Sequence, residues 1–343
     1  MNNQKRNTIL FILIGLGLII MFFLNISLGS ITIPFKEIYT SLTGGQASKS
    51  TWEYIIINYR LPKAITAVLA GMGLSTSGLL MQTLFRNPLA GPDVLGLSSG
   101  ASLGVAFVIL SASLLPPFLS TLLLSSYGVV LASTLGSTAV LLLVLLVSQR
   151  LRDTMAILIV GLMFGSFTSA IVGVLTYFSS AEQLQKFTFW SLGNLGNLSW
   201  TSILILSICV GIGLLLSIFS IKSLNALLLG ENYARSLGLN FKKARLIIIF
   251  ATSILAGSIT AYAGPIAFIG LAVPHIAKLI FKTSDHSVLY WSTLFLGAAI
   301  MLICDVISQM PGMEVTLPIN AVTSIIGAPI VIWLLVRKRK MMG

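Results

Sequence analysis

Few side chains in this sequence could do chemistry, and their spacing argues against most of it. Asp305 is the one carboxylate set clearly within an apolar run. Such a group serves either as a relay or gate, or as a helix-end acid paired near an interface. His275 follows Pro274, and His286 lies eleven residues further on, a spacing that does not form a helical metal pair. Cys209 and Cys304 both fall in apolar stretches, where a thiol behaves as a small hydrophobe. No metal site and no disulfide framework is expected. The nine acids sit mostly in polar connections, so no Ser-His-Asp set, H-E-x-x-H motif or catalytic carboxylate pair can be assembled. No G-x-x-x-x-G-K-[ST] loop occurs, so the chain cannot cradle ATP by that route. Catalytic residues: none are expected.

The elements that carry these residues are apolar. Of 343 residues, 56% are hydrophobic and 9% charged, with a mean hydropathy of +0.99. Soluble domains carry about a quarter charged residues, so a water-soluble globule is excluded, as are disordered and collagen-like chains. The net charge of +12 comes from 21 basic residues scattered in short clusters between apolar runs. That dispersal argues against nucleic acid as a partner and points to membrane lipids. At about 20 apolar residues per crossing, ten spans are expected, over 9–28, 64–85, 94–115, 118–149, 154–178, 201–221, 246–263, 265–281, 287–308 and 317–336. The first looks like a secretory signal but is longer than a usual apolar core and lacks an A-x-A site, so it reads as a retained span. Backbone in hydrocarbon must satisfy its own hydrogen bonds, which makes the fold class all-α and polytopic.

Sidedness follows from the basic residues. Assigned to alternate loops, sixteen of the 21 fall on one side, and only Lys36, Lys49, Arg60, Lys63 and Lys186 on the other. The positive-inside rule then predicts both termini in the cytoplasm, as an even span count requires. The largest inner connection is 222–245, the best docking surface for a soluble partner. An interfacial helix is expected after Pro34 in the outer segment 29–60. Gly161 and Gly165 form a G-x-x-x-G, read as close packing within the chain with a dimer or pore-lining seam as the alternative. Trp190, Trp200, Trp291 and Trp333 lie near span ends and read as an interfacial belt.

The most specific string is Arg86-Asn87-Pro88-Leu89-Ala90-Gly91-Pro92, followed by Leu95-Gly96 and Ser99-Gly100-Ala101. Its Asn-Pro and Gly-Pro steps break the helix between spans two and three. The string resembles the permease family of binding-protein-dependent ABC importers for iron-siderophores, haem and vitamin B12, the FecCD or BtuC-like family. Arg60-Leu61-Pro62-Lys63 is similar to that family's R-L-P-R, and Trp190-Ser191-Leu192-Gly193 to its W-x-x-G. Gly264-Pro265-Ile266-Ala267-Phe268, Pro274-His275, Asp285-His286, Leu317-Pro318 and Gly327-Ala328-Pro329 follow in the family order. The likeness runs from about Gly29 to the C-terminus.

The resemblance implies a BtuC-like type II importer fold, with residues 1–343 forming a single transmembrane permease domain in the cytoplasmic (inner) membrane. It implies an iron-siderophore cargo, with haem or cobalamin as alternatives. The partners it implies are two ABC ATPase subunits, an identical second permease and a substrate-binding protein. ATP and Mg then belong to the ATPase, and this chain binds no cofactor and is no enzyme. An ion-coupled secondary transporter is the rival reading. Leu229, Gly230, Glu231, Ala234, Leu237 and Gly238 are implied to receive the ATPase stroke, together with Arg86, Asn87, Pro88 and Asp285. Arg60 and Lys63 are implied to meet acidic groups of the binding protein. Gln309 departs from the arginine usual after the aspartate at 305, and Asn320 departs from a usual glycine. Pro92, Gly264, Pro265 and Pro274 are expected to break helices.

Overall fold

The computed structural model describes residues 3–45, 47–112, 116–150, 154–196, 198–236, 238–313 and 315–340. Among the described residues every regular element is helical. The elements are α1 (Asn3–Ser27), α2 (Phe35–Leu42), α3 (Ser50–Ile55), α4 (Leu61–Leu84), α5 (Leu97–Leu110), α6 (Pro117–Leu123), α7 (Ser126–Arg150) and α8 (Thr154–Tyr177). They continue as α9 (Ala181–Ser191), α10 (Trp200–Leu228), α11 (Glu231–Ser236), α12 (Phe241–Ala263), α13 (Ile269–Phe281), α14 (His286–Ser308) and α15 (Ile319–Lys340). A π-helical turn, Ile56–Arg60, joins α3 to α4, and a 3-10 turn, Pro92–Leu95, precedes α5. Seven helices among the described residues are long and apolar enough to cross a membrane. Three shorter apolar helices, Leu97–Leu110, Ile269–Phe281 and Ile319–Trp333, fall in the other three expected stretches.

The differences from the sequence reading have local causes. The stretch 118–149 holds two helices, α6 opening at Pro117 and α7 starting at Ser126. The third stretch begins with the 3-10 turn opened by Pro92, then Gly96 at φ +74° starts α5; its last residues, 113–115, lie outside the described residues. Gly264 and Pro265 do break the chain, but α13 starts only at Ile269, after Phe268 at φ +67°. Pro274 does not break a helix. It lies inside α13, which continues to Phe281. Its ring costs the hydrogen bond to the carbonyl four residues back, a loss that neighbouring helices in a membrane bundle can offset. At 13 residues α13 is about 20 Å long, short of an apolar layer of about 30 Å.

The described chain forms two compact units. One comprises Met1–Ser75, Asn194–Ser207 and Ile266–Gly343, and the other Thr76–Gly193 and Ile208–Pro265. In the first, α14 packs against α1, α13 and α15. α4 and α14 touch at glycines: a Cβ on Gly297 would clash with the Gly71 carbonyl oxygen and with Ser75 Oγ. Ser75 Oγ also donates to the Thr293 carbonyl at 3.1 Å. Backbones held this close gain dispersion that larger residues would forbid. Asn320 Oδ1 accepts from the Ala267 N–H at 3.1 Å, so the residue standing where a glycine is usual satisfies a donor in the non-helical stretch before α13.

In the second unit α5 is central, packing on α7, α8, α9 and α12. Gly100, Gly104 and Gly136 line the α5–α7 crossing. Val105, Ala106, Ile109 and Leu110 are buried against Val129, Val172, Leu175, Phe187 and Trp190. Trp190 thus joins a core rather than an interfacial belt, and its ring stacks on Phe187 at 6.1 Å. Gly161 and Gly165 do pack within the chain, their backbone lying 3.1 and 3.6 Å from a Cβ built on Gly96. Gly264, at φ +76°, brings its Cα so close that a Cβ would meet the Trp190 carbonyl at 2.6 Å and Gly193 Cα at 2.9 Å. The W-x-x-G and Gly-Pro motifs are therefore two sides of one contact, which only glycine admits.

Candidate functional site

The polar residues gather at two places, one in each unit. In the first unit Asp305, one turn from the end of α14, is 1% exposed. Lys63, in the first turn of α4, places Nζ 3.1 Å from Asp305 Oδ1. That pair is joined by charge rather than by an aligned hydrogen bond, since Oδ1 accepts none. The other oxygen, Oδ2, accepts from Asn25 Nδ2 at 2.9 Å and from Gln309 Nε2 at 2.8 Å. Three helices, α1, α4 and α14, thus meet on one carboxylate. A buried carboxylate needs this degree of partnering, because desolvation of an unpaired charge is costly.

Arg60 lies beside this group. Its Nη1 donates to the Ile26 and Ser27 carbonyls, both at 2.7 Å, and its Nη2 to the Ile31 carbonyl. The guanidinium therefore fastens the turn that leaves α1 to the start of α4. A guanidinium so placed keeps its charge at neutral pH. Gly29 sits in the same turn, and a Cβ there would lie 2.9 Å from Arg60 Nη2 and 3.2 Å from Gln309 Oε1. The Gly312 N–H donates to the Gly29 carbonyl at 3.1 Å. Arg60, Lys63 and Gln309, expected together from sequence, are brought together. Asn25 was missed, although an amide inside the apolar run 9–28 is itself a signal, because a polar group there needs a partner.

In the second unit the Arg86–Pro88 turn and the segment after α10 come together. Arg86 takes φ +47°, and its Nη2 donates to the Leu227 carbonyl at 2.9 Å, a cation on the exposed carbonyls of a helix C-terminus. Asn87 Oδ1 accepts from the Leu89 N–H at 2.9 Å, shaping the turn through Pro88. Gly230, at φ +114°, turns the chain from α10 into α11, and a Cβ on it would lie 3.5 Å from Arg86 Nη2. Ala234 is fully buried, and its N–H donates to the Gly230 carbonyl at 2.8 Å. Leu229 and Tyr233 are exposed. Glu231 opens α11, Gly238 takes φ +84°, and Leu237 lies outside the described residues. Asp285 belongs to the other unit, where it caps α14 by accepting the Ser287 N–H at 2.9 Å.

These features define a polytopic helical membrane protein with a short, anchored helix in the connection between α10 and α12. Residues 17–337 match the model of the FecCD transport family, and the chain belongs to that family. It is 33% identical over 333 residues to the hemin transport system permease protein HmuU of Yersinia pestis, covering 97% of this chain and 94% of that one. It is 34% identical over 330 residues to the vitamin B12 import system permease protein BtuC of Klebsiella pneumoniae, covering 95% and 94%. Among solved structures, an ABC transporter described as of metal-chelate type, in an inward-facing conformation, superposes with a TM-score of 0.83 at 26% identity, covering 96% of this chain and 99% of that one. The chain is a membrane permease of the ABC importer class, which works with a separate ATPase and a partner permease subunit.

Proposed function

We propose that this permease carries an iron-siderophore complex across the cytoplasmic membrane by alternating access, driven by ATP and Mg bound on two partner ATPase subunits. The observation that carries this reading is the family match over 17–337 together with spans almost free of ionisable groups. A relay for protons or sodium needs several such groups at membrane depth, whereas a bulky chelate needs a wall that binds it weakly. Haem is the second reading, favoured by the HmuU relative, and cobalamin is favoured by BtuC.

The α10–α11 turn, with Leu229, Gly230, Glu231, Ala234, Leu237 and Gly238, receives the ATPase, supported by Arg86, Asn87 and Pro88; Asp285 serves the same cytoplasmic side. The end of the first unit that holds Arg60, Lys63 and Gln309 docks the substrate-binding protein. Both termini are cytoplasmic, and the complex holds two identical permeases. Competition decides the cargo: the transporter with its binding protein is given labelled ferric siderophore, haem and cobalamin. Uptake of the siderophore that excess haem and cobalamin do not reduce supports the proposal. Uptake of haem or cobalamin alone reassigns the cargo.

A further inference from the structure

Arg60 and Lys63 look equivalent in the sequence, two cations three residues apart at the start of one helix, but their partners differ in kind. Arg60 donates to three carbonyls, at Ile26, Ser27 and Ile31. Carbonyls carry no formal charge, so the guanidinium keeps its own. Lys63 instead faces a buried carboxylate, with its own side chain 19% exposed and Asp305 1% exposed. Asp305 Oδ1 accepts no hydrogen bond, so the Lys63 charge is what compensates that oxygen. The other oxygen is taken by Asn25 and by Gln309. Gln309 adds an amide, not a charge, so among the described residues Lys63 is the cation paired with this carboxylate and Asp305 the carboxylate paired with Lys63.

We infer that Asp305 and Lys63 are a positioning pair that neutralise each other and hold α1, α4 and α14 together, leaving Arg60 as the cation of the two that faces the binding protein. This rests on the docking reading above. It narrows the partner chemistry to one acidic side chain opposite the start of α4 in each subunit, placed to meet a guanidinium. Gln309 then serves the face from behind: its Nε2 holds Asp305, and its Oε1 lies against the Gly29 turn that Arg60 fastens.

The test uses the assembled transporter, with the purified substrate-binding protein as probe and the melting temperature of the complex as a second readout. Arg60→Gln should weaken docking about tenfold and flatten its salt dependence, as loss of an interfacial charge does. Lys63→Met alone leaves Asp305 buried without its cation, so the melting temperature should fall by several degrees. The double variant Lys63→Met with Asp305→Asn removes both charges. It should regain the melting temperature and dock within about twofold of the parent, because charge pairs that cancel internally contribute little to an encounter. Asp305→Asn alone frees the Lys63 cation and should steepen the salt dependence. A double variant that melts like the parent yet docks as poorly as Arg60→Gln would overturn the inference, because Lys63 would then be a contact. A double variant that melts as low as Lys63→Met would overturn it too, because the two charges would not be each other's partners. If Arg60→Glu leaves docking unchanged, the docking reading itself fails, whatever the double variant does.

Discussion

The polar cluster of α1, α4 and α14 and the turn between α10 and α11 are built in opposite ways. The first is held by side-chain charge and amides converging on one buried carboxylate. The second is held by backbone: a positive-φ glycine, a buried alanine and one guanidinium laid on a helix-end carbonyl, with apolar side chains left outside. Charge networks in a low-dielectric setting are rigid, since moving any member uncovers another. A helix end joined through glycine can tilt as a body. If the docking and coupling roles proposed above hold, the first region acts as a fixed platform and the second as a moving lever.

The comparison breaks most visibly at Lys63. Lys63→Met should cost about 3 kcal/mol of stability, the scale for stranding a buried partner, and thermal unfolding of the purified complex would register it. Gly297→Ala comes next: its new methyl meets the Gly71 carbonyl and Ser75, and overpacking of this sort costs about 2 kcal/mol in the same assay. Gly230→Ala should cost only about 1 kcal/mol for the strained φ. Its larger effect should be functional, with ATP hydrolysis continuing while uptake falls. Arg86→Gln should change stability by about 0.5 kcal/mol, the worth of an exposed cation at a helix end, and also uncouple hydrolysis from uptake. Equal losses of hydrolysis and uptake in the last two variants would remove the lever from the account.

The smallest effect tests the segment between α2 and α3. Glu37 accepts first from the Ser48 hydroxyl and then from the Ser48 N–H at 2.8 Å, which hold its carboxyl below 4.5. A carboxyl whose folded pKa is depressed contributes stability above its unfolded pKa and loses it as pH falls through the folded value. Protection of the Ser48 amide, measured against its intrinsic exchange rate, should therefore fall as pH drops through that lowered value, and Glu37→Gln should remove that dependence.

Hydropathy made the helical class legible, and the Asn-Pro and Gly-Pro steps marked real turns at Asn87 and Gly264. Less legible was what each polar residue does. Arg60 and Lys63 read alike because their partners, the Ile26–Ile31 carbonyls and Asp305, come from distant segments. Asp305 allowed a relay or a paired acid, and only its neighbours decide for pairing. Pro274 read as a break because local rules weigh the missing N–H, not the packing that carries α13 past it. Asn320 read as a departure, although its side chain binds the Ala267 amide across 53 residues. Local chemistry was written in the chain; the pairing was written in the fold.

A permease that works with a separate ATPase should move its cargo only while that ATPase turns over. The direct measurement is chelate uptake into proteoliposomes holding the permease, its ATPase and its binding protein, with ATP inside and no ion gradient. Accumulation should occur and should stop when the lysine of the ATPase phosphate loop is replaced. Uptake that persists with the inactive ATPase and collapses with an imposed ion gradient would contradict it.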